Sequence, residues 1–321
     1  MAKGFTVKAK KPKKDDSSGP EWDYEKIKAR MRGKRIVFCL PGRNTTFTFL
    51  KSFVQMCFDL YANGMSIQIS QDYSSMVNFA RCKCLGANVL RGPDQIPWNG
   101  KMPYDYQLWI DSDIVFSTDK FWQLCDLAFP EEAMMTETVS VDSEGNTVEA
   151  GTEDSKEVVR ALTQEEWRDS NGDVVDAGTE GAQLVSKSFA VNREKSRSIV
   201  AGWYCTEDGK TTSVAHWLEE EDFRSNGGVM NHETIESISK RKKPFTVDYT
   251  GFGWVLIEKG VFEHPEMKYP WFAPKMQVFE SGDVQDMCGE DVSFCLDAID
   301  AGMKIWCDPR VRVGHEKMRI I

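Results

Sequence analysis

The sequence has no apolar run long enough to span a bilayer, which takes about 20 consecutive apolar residues. Its Lys-rich start is followed by no apolar core, so it is not expected to act as a secretory signal. It contains no Cys-x-x-Cys pair. The nine Cys are odd in number, and Cys82 and Cys84 stand too close for a zinc knuckle. Most sit in apolar runs, as Cys39, Cys57, Cys295 and Cys307 do, and are expected to be reduced core residues in a cytoplasmic-type compartment. Positive charge is short: the formal net charge is −10, which argues against nucleic acid as a non-specific partner. Histidine is scarce too, with four in 321 residues, so each one near other polar groups draws notice.

What is present is enough for a real core. The hydrophobic fraction is 41%, with ten Trp and 18 Phe, in a length that fits one large domain or two small ones. Residues 1–22 are Lys-rich, then Asp, Ser, Gly and Pro, and read as a disordered tail. From there, strands and helices alternate. Lys34–Leu40 is a buried-strand run ended by Pro41-Gly42-Arg43-Asn44. Thr45 or Thr46 then caps a helix whose apolar positions are Phe47, Leu50, Val54, Cys57, Phe58 and Tyr61, closed by Gly64. Met65–Ser70 alternates like a strand, and a helix through Met76, Val77, Ala80 and Leu85 follows. The alternation predicts an α/β fold, a Rossmann-like, mostly parallel sheet with helices on both faces. Ligands of such sheets bind beyond the carboxyl ends of the strands. Pro41–Asn44, Gln71-Asp72 and Asp111–Asp113 all fall at such ends.

The chemistry concentrates in Asp111-Ser112-Asp113. The apolar run Tyr106–Ile110 carries the chain into two carboxylates one residue apart, and a second apolar run, Ile114–Phe116, follows at once. Buried charge is costly without a partner. A hard divalent cation such as Mg²⁺ or Mn²⁺, shared with substrate phosphates, would repay it. The plainer alternative is a pair of acids that faces water or caps the next helix.

A helix from Asp119 to Ala128 is followed by a change of composition over about 131–195, acidic, Gly-rich and poor in aromatics. Asp142–Glu153 recurs as Asp169–Glu180, with turn signals at Glu144-Gly145 and Asn171-Gly172. Thr163–Glu166 has the form of a capping box opening a short helix. The segment is expected to be a small subdomain of two β-hairpins inserted into one domain spanning 23–321. The core resumes at Ser198–Tyr204 and continues through Gly251-Phe252-Gly253-Trp254, where the glycines signal close backbone approach or a ligand surface. Pro270-Trp271-Phe272 is an aromatic loop, a stacking platform or a packing hinge. Glu290 and Asp291 open a helix, where the macrodipole alone favours acids. His315 follows a strand and a Gly, a place for a surface residue or for a metal-ligating nitrogen.

The order of Pro41-Gly42-Arg43, Ala80-Arg81, Asp111-Ser112-Asp113, Ala201-Gly202-Trp203-Tyr204, Gly251-Phe252-Gly253, Pro270-Trp271-Phe272, Gly289-Glu290-Asp291 and Gly314-His315-Glu316-Lys317 resembles GT-A fold nucleotide-sugar glycosyltransferases of the family 2-like kind, especially those of phages, viruses and bacteria. The resemblance covers about Lys34 to the C-terminus, apart from the insertion. It implies a GT-A type fold and transfer of a sugar from a nucleoside-diphosphate sugar to the hydroxyl of a glycan, protein or lipid-linked acceptor, with inversion. It implies Mn²⁺ or Mg²⁺ held by Asp113 with Asp111 and His315. Asp111 would also bond ribose or sugar hydroxyls, and Pro41, Arg43, Asp72, Arg81 and Ser112 would line the nucleotide pocket. Asp291 would be the base that takes the acceptor's proton, with Glu290 as fallback. Trp254, Trp271 and Gly253 would shape the acceptor side.

Two other classes compete. A sugar-phosphate nucleotidyltransferase shares a doubly wound sheet and acidic ligands, but its Gly-rich basic loop is missing from Pro41–Asn44. A non-catalytic glycan-binding or virion surface protein would fit the hairpin repeat, yet has no need of Asp111, Asp113, Asp291 and His315 together.

Overall fold

The structure, a computed structural model, describes residues 22–134, 136–141, 147–148, 156–161, 163–171, 173–176, 178–189, 192 and 195–317. The expected tail at 1–21 and the turns at Glu144-Gly145 and Gly172 lie outside the described residues.

Seven strands form the main sheet: β1 (Arg35–Pro41), β2 (Ser66–Asp72), β3 (Tyr106–Ile110), β4 (Ile199–Trp203), β5 (Phe245–Val247), β6 (Trp254–Glu258) and β7 (Ile305–Arg312), in the spatial order β5-β7-β4-β6-β3-β1-β2. β1 pairs in parallel with β2 and β3, and β4 with β7, while β6 runs antiparallel between β3 and β4 and β5 antiparallel on β7. Five strands therefore end at one edge. β1, β3 and β4 are covered on both faces, which is why they read as continuous apolar runs and not as alternation. Ile36 and Phe38 of β1 enter one core with Leu108, Trp122 and Trp254; Val37 and Cys39 enter the other with Trp109, Val255 and Phe294. That split follows the two-residue period of a strand.

The main helices are α1 (Tyr24–Met31), α2 (Phe47–Ala62), α3 (Val77–Cys84), α4 (Thr118–Ala128) and α5 (Glu290–Asp300). Thr46 caps α2, its side chain accepting from the Phe49 N–H at 3.1 Å. The face of α2 that packs inward differs from the expected one. Phe49, Phe53, Met56 and Leu60 are buried, whereas Phe47, Leu50, Val54, Phe58 and Tyr61 are exposed. α2 is apolar on two faces, and periodicity alone does not say which one the sheet covers.

Between α4 and β4 the chain forms two three-stranded antiparallel sheets. Thr136–Val141 pairs with Thr147–Val148 and Lys156–Ala161; Thr163–Arg168 pairs with Val174–Val175 and Gln183–Phe189. The expected helix at Thr163–Glu166 is thus a strand: a local capping pattern yields to a partner strand along its whole length. Contacts tie this region to the base of the main sheet, with Arg168 Nη2 3.6 Å from Asp105, just ahead of β3, and Lys259 paired with Asp173. The nine Cys are free thiols. No helix among the described residues is long and apolar enough to cross a membrane.

Candidate active site

The carboxyl edge of the sheet gathers the polar groups. Asp111 leaves β3 with its N–H donating to the Gly253 carbonyl at 3.3 Å. β6 is antiparallel to β3, so the segment leading into it, Gly251-Phe252-Gly253, arrives beside the end of β3. Two glycines there are a steric requirement. A Cβ on Gly251 would lie 2.4 Å from the Tyr204 hydroxyl oxygen, and one on Gly253 would lie 2.7 Å from a Tyr204 ring carbon. They admit the Tyr204 ring into the crevice.

One half of the crevice is built around Arg81 of α3, which is buried. Its Nη2 donates to Asp111 Oδ2 at 3.3 Å and its Nε to Glu290 Oε1 at 3.4 Å, and its guanidinium lies over the Phe252 ring at 5.2 Å. Burial works against its charge, but Asp111, Glu290 and Asp291 outweigh it and raise its pKa. Arg81, expected to line a nucleotide pocket, is here occupied in binding the site's own acids. Asp291, in the first turn of α5, accepts from the Tyr249 hydroxyl at 2.9 Å and from the Val292 N–H at 2.9 Å. Burial and then the neighbouring Glu290 charge push its carboxyl up, more than Arg81 and these hydrogen bonds pull it down. Burial likewise raises Tyr204 and Tyr249, helped by the nearby carboxylates.

The other half is built around Asp113. After β7 the chain pairs Gly314–His315 antiparallel with Ile114–Val115. That return sets His315 Nε2 3.2 Å from Asp113 Oδ2, although the residues are 202 apart in sequence, and Lys317 Nζ donates to the same oxygen at 2.9 Å. Burial opposes ionisation of Asp113, but the His315 and Lys317 hydrogen bonds win and hold it at about 2. His315 Nδ1 lies 3.2 Å from the Cys205 carbonyl, which assigns the Nδ1 proton to that bond and leaves Nε2 facing the carboxylate.

A divalent cation is tested on this donor set. Among the described residues no group of three or more His, Cys, Asp or Glu is arranged to hold an ion. Asp113 and His315 meet; Asp111, the third expected ligand, is turned to Arg81. Asp113 and His315 Nε2 face each other, with the imidazole oriented by a carbonyl; once Nε2 gives up the proton it shares with Asp113, the two would offer an oxygen and a nitrogen ligand, a set suited to Mn²⁺ that an incoming diphosphate and water would complete.

Beside Asp113, a cleft of about 150 Å³ is lined by Pro41, Arg43, Thr45, Gln71, Ile110 and Ser112. The Thr45 hydroxyl donates to the Ser112 carbonyl at 3.1 Å. Arg43 lies over the Tyr73 ring at 5.6 Å, and Asp72, at the end of β2, accepts from the Tyr73 N–H at 2.7 Å. Pro41, Arg43 and Ser112 thus share one cleft, and Asp72 stands at the neighbouring strand end. Trp254 and Trp271, expected from the resemblance to shape an acceptor side, lie in the core. Both are fully buried, Trp254 against Phe116 at 4.6 Å and Trp271 with its indole N–H on the Met267 carbonyl at 3.2 Å. Their large apolar faces are spent on the core. Trp217 and Phe279 are partly exposed and stack on each other at 5.7 Å. Sequence reading missed Tyr204, Tyr249 and Lys317; the paired glycines of Gly251-Phe252-Gly253 were the available signal for Tyr204.

No family model matches the chain, and no curated protein matches it. Solved structures with overall likeness include A197 from STIV, at 12% identity and a TM-score of 0.36, covering 90% of this chain and 96% of that one. Another is GalNAc-T7 with UDP, GalNAc and Mn²⁺, at 12% identity and a TM-score of 0.34, covering 89% of this chain and 43% of that one, so the match spans less than half of that protein.

Proposed function

We propose that the chain is a GT-A type glycosyltransferase, one domain over residues 23–321 with an insertion at about 131–195, that moves a sugar from a nucleoside-diphosphate sugar to an acceptor hydroxyl. The observation that carries this reading is the pairing of Asp113 with His315 at one strand edge, beside a second carboxylate, Asp291, whose pKa is shifted the opposite way.

In this reading the nucleoside lies in the cleft of Pro41, Arg43 and Ser112, with Asp72 at its rim. Its diphosphate faces Asp113, His315 and Lys317. Asp113 and His315 are the residues that would hold a divalent ion, which would supply Lewis acidity for a leaving diphosphate. Lys317 adds a fixed positive charge where negative charge develops. Asp111, fixed by Arg81, offers its remaining lone pairs to ribose or sugar hydroxyls. Asp291, held by Tyr249 and Val292, takes the acceptor's proton as the acceptor oxygen bonds to the anomeric carbon and the carbon–diphosphate bond breaks. A desolvated carboxylate with a raised pKa is a better base than an exposed one. Glu290 is bound to Arg81 and is the weaker candidate.

The test is incubation of the full chain with a panel of nucleotide sugars and Mn²⁺, reading free nucleoside diphosphate. Release with one donor class, lost on chelation, is the expected result. No release with any donor, or full activity in excess EDTA, overturns the reading.

A further inference from the structure

The exposed stripe on α2 carries an inference independent of donor chemistry. Phe47 is 90% exposed, Phe58 72% and Tyr61 77%, with Leu50 and Val54 also exposed between them. At 100° per residue these five positions fall in one narrow band on the helix, beside a polar band of Thr48, Lys51 and Gln55. Isolated exposed hydrophobics need no explanation, but a continuous band does.

We propose that this band pairs with the same band of a second copy of the chain, the two α2 helices antiparallel about a two-fold axis at Val54. The spacing is the first argument. Positions 47, 50, 54, 58 and 61 read the same in both directions, so an antiparallel copy sets Phe47 against Tyr61, Leu50 against Phe58 and Val54 against itself. A two-fold interface requires such self-complementarity. The area is the second. The band exposes ~600 Å² of apolar side chain per copy, so pairing covers ~1,200 Å², the lower bound for a stable specific interface. Ile69, exposed on the adjoining edge strand β2, adds to it. A membrane surface is the weaker occupant. Interfacial helices carry Lys and Arg on the polar face, and α2 has the single cation Lys51 in a chain of net charge −10.

Sedimentation velocity on the full chain over ~1–100 μM tests this, a range that covers interfaces of this size. A dimer is expected, with Phe58→Glu raising the dissociation constant by ~100-fold or more, because it buries an unpaired charge. At concentrations where the wild type is monomeric the two melting temperatures should agree, because Phe58 then faces solvent. Orientation is read with a short bismaleimide. With the native thiol of α2 removed by Cys57→Ser in both proteins, Phe47→Cys protein mixed with Tyr61→Cys protein should cross-link above the background of the Cys57→Ser chain, and neither alone should, since like positions lie ~21 Å apart along antiparallel helices. A wild-type chain monomeric at 100 μM, a Phe58→Glu chain that dimerises like wild type, or cross-linking of Phe47→Cys to itself overturns the proposal. A monomer that floats with phosphatidylcholine/phosphatidylglycerol vesicles overturns it in favour of a membrane.

Discussion

Asp291→Asn removes one charge and leaves the local hydrogen-bond pattern open to repair. The amide oxygen can keep the Val292 N–H, and the amide nitrogen can donate to the Tyr249 oxygen once that hydroxyl turns. Two opposing effects then set stability. The first turn of α5 loses a carboxylate worth about 0.3–1 kcal/mol to the helix dipole. Against that, burial and Glu290 make the ionised form of Asp291 unfavourable in the fold, even after Arg81 and the hydrogen bonds have acted. A folded pKa above the ordinary 3.8 means that the wild type loses stability as pH rises through that raised value. The amide has no such loss. The variant should therefore melt at or above wild type at pH 7, with the gap closing as pH falls below the ordinary 3.8, where the carboxyl is protonated in the folded and the unfolded chain alike. Catalysis should move the other way. Without a base, transfer should fall by ~10²–10⁴, or about 2.7–5.4 kcal/mol of barrier, while donor affinity stays within about twofold. Thermal melts across pH, nucleotide titration and transfer rate, all on one preparation, decide the matter. Transfer within about threefold of wild type refutes the base assignment and moves it to Glu290. Loss of donor binding together with transfer would show that Asp291 only holds the site's shape.

Asp113→Ala should abolish metal-dependent nucleoside-diphosphate binding in calorimetry while the chain stays folded; binding unchanged by EDTA in the wild type would sink the metal reading. Because the folded pKa of Asp113 is lowered to about 2, its stabilisation is present above about 4 and lost toward pH 2, so wild type and variant should converge in acid melts. Gly253→Ala should cost about 1–3 kcal/mol in urea unfolding, since the new methyl would sit 2.7 Å from the Tyr204 ring and 2.8 Å from Ile114. Replacing residues 135–191 by a short Gly/Ser linker should leave donor binding within a few-fold, because Asn192 N–H donates to the Ala133 carbonyl at 2.8 Å and brings the cut ends together. An insoluble product would show that the Arg168–Asp105 contact is structurally required.

Much of the fold was legible for a simple reason. Strands buried on both faces leave apolar runs, and the turns after them leave polar residues at one edge. Asp111-Ser112-Asp113 stood out that way, Asp291 as an acid opening a helix whose role came from the family resemblance, and His315 by its scarcity and its place after a strand. What failed depended on long-range packing. The apolar positions of α2 gave a helix but not its inward face. Trp254 and Trp271 were read as site-lining because an aromatic residue near a glycine motif suits both a core and a sugar platform. Arg81 carried a basic side chain into a helix, and nothing local said that it would be buried under Phe252 with Asp111 and Glu290 as its partners. The strand at Thr163–Arg168 depends on Gln183–Phe189, which a four-residue pattern cannot anticipate.

The two halves of the crevice differ in what surrounds a carboxylate, and that difference bears on the division of labour. Asp111, Glu290 and Asp291 share one permanent cation, Arg81, in a buried corner roofed by Phe252 and Tyr204. One cation cannot satisfy three acids at low dielectric, so the least favoured of them, Asp291, is the one driven toward protonation. Asp113 stands at the rim, where His315 and Lys317 supply two donors to a single acid, and it stays ionised. A carboxylate that must hold a cation and one that must accept a proton need opposite environments. Here the start of α5 supplies one and the returning C-terminal strand the other. Both balances draw on distant residues: Asp291 is pushed up by burial and by its neighbour Glu290 against Arg81 on α3, and Asp113 owes its lowered pKa to His315 and Lys317, which the strand after β7 brings back to it.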